Sequence, residues 1–197
     1  MKTYSFLMFL LALCTPNLSF AKGDYLYTKA KHNFETECTR AIAHPVFLKN
    51  KVQKLTFAIK NTSDEFPILY GLETAQFGNG QSIRLENIGC ESYGFDIQLT
   101  LNANSIEKNQ KLCQSCLLQE LRRISMYFQK DNQQFYLDGI KTLEQEYKKA
   151  QKIIMNRGLQ VKGTDDMPQT IIFNEALKQK NGQYSVRFSN IANYQIK

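Results

Sequence analysis

Ile83-Arg84-Leu85-Glu86-Asn87-Ile88-Gly89-Cys90-Glu91-Ser92-Tyr93-Gly94-Phe95-Asp96-Ile97-Gln98-Leu99-Thr100-Leu101 reads as two alternating strands meeting at a Gly-Cys-Glu-Ser-Tyr-Gly turn. Ile83 and Leu85 precede the turn; Phe95, Ile97, Leu99 and Leu101 follow it, each separated by a polar residue. A period of two sends alternate side chains to opposite faces, so these apolar positions line the covered face of a half-buried antiparallel sheet. Gly89 and Gly94 bracket the reversal, and Cys90 sits inside it, where a crosslink holds both strands. The tip Glu91-Ser92-Tyr93, presented by a braced hairpin, is the candidate contact patch.

Outward from this hairpin the front half is mostly antiparallel strand. Leu55, Phe57 and Ile59 alternate within 52–60, and Asn61-Thr62-Ser63-Asp64 ends that run. Phe66 to Leu72 is another apolar piece, for which Pro67 predicts an edge position. Residues 22–33 show no clear period and are expected as an arm, with a short strand at 34–40 carrying Cys38.

The period then changes. Cys113, Cys116, Leu117, Leu121, Ile124 and Phe128 recur at three and four residues, one apolar stripe of a helix. Residues 130–134 read as a break. A second seam follows at Tyr136, Ile140, Leu143, Tyr147, Ala150 and Ile154, with Gly158 as its expected terminator. The two helices are expected to pair across the short polar loop. Strands return at 170–173 and 183–188, joined through Asn181-Gly182, a hairpin signal. The predicted fold class is therefore α+β, a mainly antiparallel sheet packed against an antiparallel helix pair.

The first residues bound the compartment. Lys2, an apolar run over 6–13 too short to cross a bilayer, and Ser19-Phe20-Ala21 match a secretory signal peptide cleaved after Ala21. The expected mature unit is one soluble domain, 22–197, periplasmic or secreted and of bacterial type, with no later membrane span. Lys2 is the only charged residue removed, so the net charge of +7 falls to +6. That sign favours an unknown protein or an anionic surface ligand as partner and disfavours inhibition of a cationic enzyme. Nucleic acid is not expected, because basic residues are scattered among acidic ones.

Cys38, Cys90, Cys113 and Cys116 survive that cleavage, and an even count in an exported chain predicts disulfides. We favour Cys38–Cys90 with Cys113–Cys116. The second bond requires the helix to begin near Cys113, since a regular helical turn suits a disulfide poorly; otherwise both helix cysteines staple to the sheet. The alternative function is thiol–disulfide oxidoreduction, with Cys113 as nucleophile, Cys116 as resolving thiol and Pro168 approaching them from the next strand. A polar, helical-looking 104–111 before Cys113 argues against it. No metal or cofactor is expected: His32 and His44 lack a second ligand at helical or strand spacing, and Asp165-Asp166 reads as a solvated turn. The primary expectation is a binding or accessory protein without catalysis.

Overall fold

The computed structural model describes residues 19–38, 41–90, 92–161 and 168–193. Its centre is a sheet of seven strands, all pairs antiparallel, and the strands of the opening hairpin hold the third and fourth places. Strand β1 is Lys54–Asn61, β2 Leu69–Gln76, β3 Ser82–Ile88 and β4 Ser92–Asn102. Near the other end of the chain, β7 is Gly158–Gln160, β8 Gln169–Lys178 and β9 Gln183–Asn193. The order β1-β2-β3-β4-β9-β8-β7 makes β4 the middle strand. Ile83 pairs with Leu99, and Leu99 with Val186, so the buried alternation continues in register across three strands.

One face of the sheet carries the core. Ala75, Ile83, Leu85, Phe95, Ile97, Leu99, Leu101, Val186, Phe188, Ile171 and Phe173 pack with Leu117, Leu121, Ile124, Tyr136, Ile140 and Leu143 of two helices. These helices are α3, Gln114–Ile124, and α4, Lys130–Ala150. They touch through Arg122, whose guanidinium grips Glu144 at 3.0 and 2.9 Å, and through the buried Tyr136 hydroxyl, which donates to the Leu121 carbonyl at 2.9 Å. The seam of α4 also meets the sheet directly. A Cβ at Gly139 would lie 2.8 Å from Asn190 Nδ2, and the Phe135 carbonyl accepts from both Asn190 and Gln169 at 2.9 Å.

Several expectations are corrected. Over 22–37 the expected arm and the start of the expected strand give way to a helix, α1, at Ser19–Glu37; residues 39 and 40 lie outside the described residues. Ala30 and Phe34, four apart, are buried and meet Leu69, Ile59 and Ile68. Strand β2 lies between β1 and β3 and is not an edge; Pro67 precedes the ladder, so no ladder donor is lost, and its carbonyl accepts from Asn33 at 2.9 Å. Residues 130–134 are the first turn of α4, where Asp131 suits the positive helix end. That helix stops at a left-handed Gln151, φ 55°, and Gly158 opens β7.

Both favoured disulfides are present. Cys38–Cys90 ties the end of α1 to the β3–β4 reversal across a separation of 52 residues, and Cys113–Cys116 spans 3. Chain-entropy scaling gives the long loop about 4 kcal/mol of stabilisation and the short one about 1.5 kcal/mol. The first bond is thus the structural brace, and the second contributes little to holding the fold.

Candidate functional site

Upstream of Cys113 the chain folds into a one-turn helix, α2, Ala103–Ile106, and a minimal hairpin of β5, Glu107–Lys108, and β6, Lys111–Leu112. The expected helix over 104–111 is largely absent because Asn109 and Gln110 both take positive φ, 53° and 61°, the pattern of a two-residue primed turn. Consequently Cys113 comes directly off a short strand and caps a helix. Its backbone N–H donates to Ile106 at 2.8 Å, and its sulfur accepts the Cys116 N–H at 3.2 Å with Ser115 Oγ at 3.3 Å. Gln114 then accepts the Ile153 N–H at 2.9 Å, fastening the start of α3 to the segment that leaves α4.

This arrangement encloses an open groove of about 750 Å³ lined by Lys108, Lys111, Cys113, Ser115, Tyr147 and Lys152, among others. Cys113 lines it and Cys116 is not among the lining residues. No carboxylate is among the described residues that line it. Lys108 and Lys111 are direct cross-strand partners, a like-charge placement that costs a few tenths of a kcal/mol when nothing neutralises it. Lys152 arrives from the far end of α4 immediately after left-handed Gln151, so residues in strained backbone conformations flank the groove on both sides.

Other charges are differently placed. On the sheet face opposite the helices, Arg84 pairs with Glu86 at 2.5 Å and Arg187 with Asp96 at 3.9 Å. Glu120 is buried beside Arg123, which reaches it at 2.6 Å and Gln81 at 3.0 Å. Burial pushes the Glu120 carboxyl up, but the Arg123 and Gln81 contacts outweigh it and leave the group below its ordinary range, while Arg123 is held still more firmly protonated. Glu73 is buried without a cation: it accepts from the Val46 and Phe47 N–H groups at 2.6 and 3.1 Å, and desolvation raises its pKa against those two bonds. Both carboxylates are occupied in latching segments together.

The candidates read from sequence are dispersed. Glu91 and Asp165-Asp166 lie outside the described residues. Ser92 is a ladder residue of β4, and Tyr93 turns inward, its ring against Phe95 and Phe135 and its hydroxyl bonded to Asn132. Pro168 stands just before Gln169, which bonds Phe135 near the start of α4, whereas Cys113 lies by Gln151 beyond its end. Sixteen residues of helix separate these levels, about 24 Å at 1.5 Å per residue, so the proline is not brought to the cysteines. Sequence reasoning missed the lysine groove because Lys108 and Lys111 sit far from Lys152 along the chain. Among the described residues, no group of three or more His, Cys, Asp and Glu side chains is arranged to hold a metal, and no helix is long and apolar enough to cross a membrane. Comparison with known protein families, curated proteins and solved structures finds no match.

Proposed function

We propose that the chain is an exported, soluble binding or accessory protein that holds an anionic ligand in the groove beside Cys113. The observation that carries this reading is the convergence of Lys108, Lys111 and Lys152 on one concave surface, with no carboxylate among the described residues that line it. Lysines on opposed strands repel, and an anion between them converts that cost into attraction. Backbone N–H groups at the start of α3 add donors of the same polarity. The opposite sheet face is a weaker candidate: the hollow there brings Lys54 beside Arg84, but Arg84 is already paired with Glu86. Export is supported by the signal-like first residues and by two disulfides.

A fluorescein-labelled hexaglutamate peptide tests the reading by anisotropy. Binding should weaken as salt rises and fall at least tenfold in the Lys108→Gln/Lys111→Gln/Lys152→Gln variant. Equal binding by that variant contradicts it.

A further inference from the structure

We infer that Cys113–Cys116 is an exchangeable disulfide, and that its reaction partner is a thiol-bearing protein segment flanked by acidic residues. The substrate class rests on the anion-binding reading of the groove; the exchange itself rests on the sulfur. Of the two disulfides, Cys38–Cys90 links distant parts of the fold, whereas Cys113–Cys116 joins residues one helical turn apart and crosslinks no separate elements. Cys113 lines an open basic groove. Its sulfur already accepts the Cys116 N–H at the first turn of α3, the position that stabilises a thiolate once the bond is opened. Lys108, Lys111 and Lys152 act in the same direction. Stabilising the dithiol form makes the disulfide the better oxidant.

The reaction balances without a further reagent. A substrate thiolate attacks Cys113 Sγ; the Cys113–Cys116 bond breaks, and its electron pair leaves on Cys116. A second substrate thiolate attacks the substrate sulfur of this mixed disulfide, forming the substrate disulfide and releasing Cys113 as a thiolate. Two electrons pass from substrate to protein, and the two substrate thiol protons pass to the protein dithiol through solvent. Pro168 does not approach the pair as the sequence alternative required, so recognition falls to the lysine groove.

The test is graded reduction of the full-length oxidised chain with glutathione, followed by acid quench, alkylation and mass mapping. Cys113–Cys116 should open at a glutathione concentration at least tenfold below that which opens Cys38–Cys90. In the reduced protein, Cys113 should react with iodoacetamide at pH 6 about threefold faster than the glutathione thiol, since a one-unit lowering of thiol pKa raises the thiolate fraction about tenfold while lowering its intrinsic nucleophilicity. Opening no earlier than Cys38–Cys90, or Cys113 alkylation no faster than glutathione, overturns the exchange and leaves anion binding standing. A second arm compares dithiol peptides flanked by glutamates or by lysines as reductants of the native disulfide. Acidic peptides should react at least tenfold faster; equal rates overturn the substrate class together with the anion-binding reading, while exchange with glutathione stands independently.

Discussion

At the scale of single residues, Gln110 and Glu73 each carry a conformational or electrostatic cost with a measurable consequence. Gln110 holds φ 61° in the turn between the two groove lysines, a region where glycine is free of the Cβ penalty. Gln110→Gly should therefore stabilise the fold by about 0.5–1 kcal/mol in urea denaturation, or be neutral once the greater freedom of glycine in the unfolded chain offsets the relief; clear destabilisation contradicts the strained-turn account. Glu73 has its folded pKa raised above the ordinary carboxyl value, so the native state holds the proton more tightly. Its contribution is greatest below the unfolded pKa and is lost as pH rises from there through the folded pKa, after which the dependence flattens. Measured stability of the wild type relative to Glu73→Gln should accordingly decline over that window. Glu73→Ala should cost about 2–6 kcal/mol below that window by orphaning two buried N–H groups, and less above it. None of this was visible in sequence, where Glu73 is an ordinary polar residue between Leu72 and Thr74 and Asn109-Gln110 lacks the glycine that marks most two-residue turns.

At the scale of elements, the strands were legible because sheet alternation has only two phases. Ile83 to Leu101 and Val186 to Phe188 carry it cleanly, and their register follows. Helix α3 was legible too, though its expected stripe ran on to Phe128 and the helix ends at Ile124; its start near Cys113 followed only if Cys113 and Cys116 bond to each other, as they do. Helix α1 was not, because among its described side chains Ala30 and Phe34 are the apolar ones buried, and the buried Asn33 beside them is polar. Helix α4 is held to the sheet at Gly139, where helix propensity and packing oppose each other. Alanine is worth about 1 kcal/mol over glycine in a free helix, but its Cβ would press on Asn190 Nδ2 at 2.8 Å and Ile171 Cδ1 at 3.0 Å. Gly139→Ala should therefore lower stability, by about 1–3 kcal/mol, with a reduced melting temperature in calorimetry; an increase would mean that α4 does not sit this close to β8 and β9. The disulfides divide similarly: Cys38→Ser/Cys90→Ser should cost about 4 kcal/mol and Cys113→Ser/Cys116→Ser about 1.5 kcal/mol, read from denaturant midpoints. Equal losses contradict the division between brace and reactive pair.

For the whole molecule, α3 and α4 cover one sheet face and Arg84 and Arg187 on the other have acidic partners, while the groove at the start of α3 brings three lysines and Cys113 to one open surface. The sequence showed the basic excess and the cysteine spacing, yet could not join them, because Lys152 reaches the hairpin lysines only through the length of α4 and the Gln114–Ile153 bond. The most direct test is therefore a map of where an anion lands. Titration of the isotopically labelled protein with hexaglutamate peptide, followed by backbone amide chemical shifts, should move Asn109, Lys111, Gln114, Ser115, Gln151 and Lys152 together. Shifts confined to the opposite sheet face, at Thr74, Arg84 and Gln98, or no saturable shift at low salt, would contradict the account.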